Sequence, residues 1–143
     1  MKNTVKSCTA AVLALIMAMC FAACTNNSVK KEGVWENAQY LSDKEFGNGS
    51  ACIEVEVKAE DKSVTFTVNT DKKTLGDALS EHRLIEGEQG EYGLYVKKVN
   101  GITADYEVDK SYWSFSQNGE MLMTGVDSTE IKDGEHYEIV YTK

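Results

Sequence analysis

Two stretches in the middle of the chain alternate strictly between apolar and polar residues. In ACIEVEVK the apolar positions are Ile53, Val55 and Val57, and in SVTFTVN they are Val64, Phe66 and Val68. A period of two places successive side chains on opposite faces of a strand. Each stretch therefore predicts a strand with one buried face, and a short turn over 59–62 would join the two strands.

The apolar spacing then changes to a helical one in TLGDALSEHRLIEG. The apolar stripe comprises Leu75, Ala78, Leu79 and His82. Thr74 is a good N-cap, with Asp77 in the place of the Glu or Gln of a capping box. We expect one helix over 75–84, with Gly87 able to end it.

Further strands are predicted after the helix, in YGLYVKKVNG, in the segment 112–126 and in EHYEIVYT. One helix packed across a mixed sheet of four to five strands is the economical way to bury these faces, which makes the fold class α+β. The order of elements resembles a β-grasp, ubiquitin-like fold, in which the first and last strands are adjacent and parallel. The expected core residues are Val55, Val57, Val64, Phe66, Leu75, Leu79, Val96, Ile139 and Tyr141.

The segment YWSFSQNGEMLMTGV reads as a hairpin closed by Asn118-Gly119, a strong signal for a two-residue turn. This turn would pair Gln117 with Glu120, Ser116 with Met121, Phe115 with Leu122, Ser114 with Met123 and Trp113 with Thr124. Cross-strand partners share a face. The face of the hairpin towards the core would then carry Trp113, Phe115 and Leu122. The opposite face would carry Tyr112, Met121 and Met123.

The second apolar face of this hairpin has two interpretations. Methionine is flexible and polarizable, so Met121 and Met123 beside Tyr112 would make an adaptable contact surface for a ligand or partner that also meets the backbone near Gly125. Alternatively, the segment 35–46, which contains Trp35, covers them.

The first residues have the layout of a secretory signal: two lysines, a short apolar run and small residues. The run is shorter than the roughly 20 residues of a membrane-spanning helix. FAAC resembles a bacterial lipobox, with Phe21 in place of the usual Leu, so we expect cleavage before Cys24 and lipidation of that cysteine. Cys20 is the competing site, and a plain signal peptide or an uncleaved anchor are the alternatives.

The resulting organisation is a signal peptide at 1–23, a tether at 24–34, an arm at 35–50 that packs on the domain, and the domain itself at 51–143. Without its signal the chain would lose two lysines and no acid, taking the net charge from −8 to about −10. That charge disfavours binding to nucleic acid or to an anionic membrane surface. We expect an extracytoplasmic protein attached to the membrane through its lipid alone.

Few residues suggest catalysis. Cys52 would be the single unmodified cysteine of the mature chain, either a reactive thiol or a half-buried one at the start of a strand. The two histidines, His82 and His136, lie in no recognisable catalytic or metal motif. The turn carboxylates show neither calcium-loop spacing nor a marked catalytic pair. We expect no enzyme activity, no metal site and no disulfide.

The second half of the sequence resembles the bacterial DUF4430 domain, also called the transcobalamin-like C-terminal domain. The shared features are the helix start at 75–79, Tyr92-Gly93, Val99-Asn100-Gly101, Tyr112-Trp113, Gly125-Val126 and Asp133-Gly134-Glu135. The resemblance extends back to Trp35. It implies a small-ligand-binding module with a corrinoid such as cobalamin as the named ligand. In the animal vitamin carriers a similar domain closes over one face of cobalamin, and the second strand of the Tyr-Trp hairpin is among the contacts.

The hairpin register and the family resemblance together predict the ligand-binding residues. These are Tyr112, Met121, Leu122, Met123, Thr124 and Gly125. The chain lacks D-x-H-x-x-G, so a corrinoid would be held by stacking, backbone and packing contacts and not by a histidine on cobalt. Such a module would hand its ligand to an uptake transporter. The rival hypothesis is a surface interaction or adhesion module whose sheet edge or hairpin docks a second protein.

Overall fold

The structure, a computed structural model, describes residues 28–143. The predicted signal peptide and Cys24 lie outside the described residues. Two α-helices are present there, α1 (Leu75–Glu81) and α2 (Tyr106–Asp109), and 3₁₀ turns form at Gly33–Asn37 and Val126–Ser128. The strands are β1 (Lys44–Gly47), β2 (Ala51–Ala59), β3 (Lys62–Thr70), β4 (Ile85–Gly90), β5 (Gly93–Val99), β6 (Ile102–Thr103), β7 (Tyr112–Gln117), β8 (Glu120–Met121) and β9 (His136–Thr142).

The main sheet has six strands in the order β1-β3-β2-β9-β7-β8, and a smaller sheet has the order β4-β5-β6. This is the α+β architecture with few helices that the pattern predicted. The main sheet is larger than the predicted four to five strands because β1 adds to one edge, in parallel with β3. The predicted adjacent, parallel pairing of the first alternating strand with the last is confirmed between β2 and β9.

The core lies between one face of the main sheet and a layer made of α1 and the small sheet. The alternating apolar positions of β2 and β3 are all buried, as are Leu75, Ala78 and Leu79 of α1. Eight of the nine predicted core residues are buried, whereas Tyr141 is half-buried near the end of the last strand. The periodicity therefore identified the buried face of each long element.

The helix differs from its prediction at the C-terminal end. Thr74 caps it as expected, since its Oγ1 accepts the Asp77 amide at 3.2 Å, but the helix stops at Glu81, before the predicted residue 84. Arg83 has a positive φ of 55°, and Gly87 lies inside β4 rather than after the helix. A Cβ at Gly87 would lie 2.0 Å from the Tyr95 carbonyl oxygen, so this glycine permits close strand pairing at a bulge.

The segment 35–50 packs on the domain at the side of β3 and the small sheet. Trp35 is fully buried and its indole N–H donates to the Ala59 carbonyl at 3.0 Å. Tyr40 and Phe46 pack edge-on against each other and against Phe66, with ring centroids 5.3–5.9 Å apart. These aromatic residues extend the core beyond the edge of β3.

Candidate functional site

A cleft of about 270 Å³ opens between β5 of the small sheet and β7 of the main sheet. Its lining residues are Leu94, Tyr95, Val96, Tyr112, Trp113, Ser114, Phe115, Met121, Leu122, Thr124, Gly125 and Val126. Most of this lining is apolar, with a few hydroxyl and backbone groups at the margin. This composition is typical of a binding site for a small molecule.

The cleft exists because the second strand of the hairpin is short. The Asn118-Gly119 turn forms as predicted and pairs Ser116 with Met121 and Gln117 with Glu120. One further bond joins the Leu122 amide to the Phe115 carbonyl at 2.9 Å. Beyond it the chain leaves the sheet for the 3₁₀ turn Val126–Ser128, so the predicted pairs Ser114–Met123 and Trp113–Thr124 do not form.

Half of β7 is consequently an open edge. In an antiparallel ladder successive residues direct their backbone groups to alternate sides. Phe115 bonds towards β8, so Trp113 also directs its N–H and C=O towards that side, where no strand follows. The main sheet therefore presents two backbone groups to the mouth of the cleft.

The two faces of the hairpin differ in exposure as their register requires. Trp113 is buried, and Phe115 and Leu122 are partly buried against the core. On the other side Met121 is 67% exposed and Met123 is 94% exposed. The segment 35–46 packs near Phe66 instead, so it does not cover the methionines.

Five of the six expected ligand-binding residues line the cleft: Tyr112, Met121, Leu122, Thr124 and Gly125. Met123 does not line it and points into solvent beside it. The sequence pattern did not predict the opposite wall, which is formed by Leu94, Tyr95 and Val96 of β5. Nothing in the local pattern indicated which strand would face the hairpin, because β5 belongs to a different sheet.

Asp127 joins two of the segments that line the cleft. Its Oδ2 accepts the Leu94 amide at 3.1 Å, which ties β5 to the 3₁₀ turn after the hairpin. A Cβ at Gly93 would lie 2.5 Å from Asp127 Oδ1, and a Cβ at Gly125 would lie 3.1 Å from it. Gly93, whose φ of 103° is positive, is the position where glycine lets the carboxylate fit, whereas at Gly125 the carboxylate would have to move only slightly.

Exposed apolar side chains surround the cleft. The large hydrophobic residues that are exposed within residues 28–143 are Tyr92, Tyr95, Tyr106, Val108, Tyr112, Met121 and Met123. Three of them line the cleft, and Tyr106 lies edge-on to Tyr112 with ring centroids 6.5 Å apart. Tyr95 and Tyr106 also line a neighbouring depression of about 300 Å³. We call five of them, Tyr95, Tyr106, Tyr112, Met121 and Met123, the apolar rim; such patches usually mark a binding surface.

A charged hydrogen-bond network holds α2 and the start of β7. The Ser111 hydroxyl and amide both donate to Asp109, and Lys143 Nζ lies 3.0 Å from the same carboxylate. These interactions, the Ser111 hydroxyl first, lower the pKa of Asp109 to about 2. The Asp105 amide donates to the Ser111 hydroxyl at 3.0 Å. The network positions Tyr112 at the cleft.

Other reactive groups lie away from the cleft. Cys52 is half-buried at the start of β2, and burial, followed by the charges of Asp133, Glu54 and Glu45, raises the pKa of its thiol. A raised pKa makes it a weak nucleophile at neutral pH. His82 packs against Phe46, with ring centroids 5.2 Å apart. Among residues 28–143 no helix is long and apolar enough to cross a membrane.

Comparison with known proteins agrees with the resemblance read from the residues. The family model of DUF4430, a domain of unknown function, matches residues 72–143. No curated protein matches the chain. The family model begins just before α1, so β1, β2 and β3 lie outside it.

Two solved structures are similar to this chain. One is a proposed metal-binding protein from Ruminococcus gnavus ATCC 29149, 34% identical, with a TM-score of 0.63 and a match covering 66% of this chain and 98% of that one. The other is haptocorrin in complex with Cbi (cobinamide), 20% identical, with a TM-score of 0.56 and a match covering 68% of this chain and 26% of that one. The second likeness concerns the fold alone. The chain belongs to the DUF4430 family.

Proposed function

We propose that this protein is a non-enzymatic module that binds a flat small molecule, with polar groups at its edge, in the cleft between β5 and β7. The observation that carries the proposal is the coincidence of the cleft with the apolar rim. Pockets that enclose a drug-sized ligand usually hold roughly 300–1,000 Å³. At about 270 Å³ the cleft takes part of such a ligand, and the rest would lie over the exposed tyrosine and methionine side chains.

A corrinoid is the ligand we propose. It is large and flat, with amide groups at its periphery that can bond to the open backbone edge at Trp113. Haptocorrin, which shares the fold, is solved with cobinamide, and this supports the choice. Contact would be through packing and backbone, in line with the absence of the D-x-H-x-x-G motif.

The setting of this module is part of the same proposal. Lipidation at Cys24 would place it outside the cytoplasmic membrane, where it would deliver its ligand to an uptake transporter. Mass spectrometry of the protein from its native membrane tests the anchor, and an unmodified thiol at Cys24 contradicts it. We also assign the fold to the β-grasp type, which is supported by the central parallel pair β2 and β9 with α1 on one face of the sheet.

Isothermal titration with cobinamide tests the ligand. We expect binding by the wild type and at least tenfold weaker binding by the double variant Met121→Ser and Met123→Ser. Val108→Ser is the matched control, because Val108 is 80% exposed yet lines neither the cleft nor the neighbouring depression. It should bind as the wild type does.

Two results would count against this proposal. Failure of the wild type to bind cobinamide contradicts the corrinoid as ligand. Equal affinity of the wild type and the methionine variant contradicts the site. The rival function is docking of a second protein on the same apolar rim, without a small molecule. In that case the methionine variant would bind the protein partner more weakly, and neither protein would bind cobinamide.

A further inference from the structure

Three buried side-chain polar atoms have no hydrogen-bond partner among residues 28–143. They are His82 Nε2, Trp113 Nε1 and Asp127 Oδ1. Most buried polar atoms in proteins are hydrogen-bonded, because an unpaired one has given up its hydration without compensation. Two of the three atoms belong to segments that form the cleft, since Trp113 lines it and Asp127 joins β5 to the turn after the hairpin. These two therefore point to recognition at the proposed ligand site.

The two tryptophans of the chain differ in how their indole groups are bonded. Both are buried, Trp35 fully and Trp113 with 6% of its surface exposed. The Trp35 indole N–H donates to the Ala59 carbonyl at 3.0 Å, whereas the Trp113 indole N–H has no acceptor within the described chain. An indole N–H can only donate, and it usually finds an acceptor when the ring is buried. Trp113 thus carries an unused donor in the wall of the cleft.

The unpaired oxygen of Asp127 lies next to another residue of the cleft wall. A Cβ built on Gly125, which lines the cleft, would be 3.1 Å from Asp127 Oδ1. The other oxygen, Oδ2, already accepts the Leu94 amide. A carboxylate oxygen accepts hydrogen bonds and repels a second carboxylate. An unused donor and an unused acceptor at one cleft match a group that offers both a carbonyl oxygen and an N–H, which is a carboxamide.

We propose that Trp113 determines the specificity of the cleft by donating its indole N–H to a carboxamide oxygen of the ligand, while Asp127 Oδ1 favours an amide N–H over a carboxylate. This inference rests on the proposed function and adds the chemical group that is recognised. Trp113 Nε1 is covered in the ligand-free protein, so the ligand must displace part of the cleft wall to reach it. Leu122 is suited to that movement, because it is only partly buried and follows the last residue of β8.

Nuclear magnetic resonance of the full chain labelled with ¹⁵N-tryptophan tests the donor directly, because two tryptophans give two indole N–H signals. Acetamide is the smallest probe that carries the proposed group. It should shift the Trp113 indole signal and leave the Trp35 signal in place, since the Trp35 N–H is already bonded to Ala59. Acetate has nearly the same shape and a negative charge, and at equal concentration it should shift the Trp113 signal about tenfold less.

Cobinamide, added to the same labelled protein, separates this inference from the proposed function. If cobinamide binds and the Trp113 indole signal stays in place, the donor role is overturned while the ligand site stands. If cobinamide does not bind but acetamide shifts the signal, the corrinoid is contradicted while the carboxamide preference stands. A Trp113 signal that responds to neither compound, or equally to acetate and acetamide, overturns the inference.

Two matched tryptophan variants distinguish recognition from packing. Trp113→Phe keeps an aromatic ring and removes the N–H, so it should bind cobinamide about tenfold more weakly, the effect of one lost hydrogen bond. Trp35→Phe breaks the bond to Ala59, so it should melt at a lower temperature and bind cobinamide as the wild type does. Unchanged affinity in a folded Trp113→Phe overturns the donor role. If that variant does not fold, the spectra of the wild type decide.

Asp127→Asn tests the acceptor. Its side-chain oxygen can still accept the Leu94 amide, while an NH₂ donor replaces the unpaired oxygen. The response of the Trp113 indole signal to acetate should therefore rise towards its response to acetamide. An unchanged preference for acetamide in this variant overturns the role of Asp127.

Discussion

Two Asn-Gly turns in this protein have the same backbone and opposite surroundings. Asn100 and Gly101 have φ values of 51° and 80°, and Asn118 and Gly119 have φ values of 51° and 83°. Asn100 is fully buried, whereas Asn118 is exposed at the tip of its hairpin. At these two places the dipeptide makes the same turn, and its neighbours decide whether the turn is structural or free.

The buried turn joins the segment 35–46 to the domain. Asn100 Oδ1 accepts the Tyr40 amide at 2.8 Å, and its Nδ2 donates to the Tyr40 carbonyl, also at 2.8 Å. The Gln39 amide donates to the Asn100 carbonyl at 2.7 Å. At the exposed turn no atom lies within 4 Å of a Cβ built on Gly119. The hairpin beside the cleft is thus free to meet a ligand, while the other turn is not.

The glycines of the two turns give the largest expected difference. A Cβ at Gly101 would lie 2.5 Å from the Asn37 carbonyl oxygen and 3.0 Å from the Gln39 nitrogen. Gly119→Ala suffers only the left-handed backbone strain, about 1–2 kcal/mol. Gly101→Ala adds displacement of the packed backbone, about 1–3 kcal/mol more. Urea denaturation of both variants measures the gap, and equal losses would mean that the segment 35–46 is not fixed at this turn.

Replacing the asparagine of each turn should give a smaller difference in the free energy of unfolding, which measures the contribution of the asparagine side chain alone. Glycine keeps the positive φ, so Asn100→Gly removes only the two hydrogen bonds to Tyr40 and should lower the free energy of unfolding by about 2 kcal/mol. Asn118→Gly should change it by less than about 0.5 kcal/mol. If Asn118→Gly proves as costly as Asn100→Gly, the tip of the hairpin has a partner that the contacts around it do not include.

The smallest expected effect is a pH-dependent difference in melting temperature caused by Asp109, which lies just before β7, the first strand of the cleft hairpin. The pKa of Asp109 is about 2 in the folded protein, below the ordinary 3.8, because of the Ser111 and Lys143 hydrogen bonds. A lowered pKa stabilises the fold above the ordinary value, and this contribution is lost as the pH falls towards 2. Asp109→Asn should therefore melt below the wild type at pH 7, and the two melting temperatures should converge between pH 4 and pH 2. Glu107→Gln, an exposed neighbour on α2, is the control; the same convergence there would show that the effect is not specific to Asp109.

The alternating pattern of β2, β3 and β9 predicted their buried faces because a period of two leaves one arrangement that hides Val55, Phe66 and Ile139 together. The helix start was equally readable, since Thr74 caps it through a contact three residues away. Strand β4 was missed because Glu86, Glu88 and Gln89 lie in an exposed edge strand, where burial imposes no pattern. Strand β1 was missed because its four residues pair with β3 across more than 20 positions.

The sequence by itself determined the turn at Asn118-Gly119, the register of the first hairpin pairs and hence the assignment of Met121 and Met123 to the face away from the core. These are local consequences of backbone geometry. Only the tertiary structure decided that the second strand stops after Met121, that β5 forms the facing wall, and that Asp127 joins the two. Those features depend on contacts between segments distant in the chain, and the local pattern of apolar residues carries no record of which segments meet.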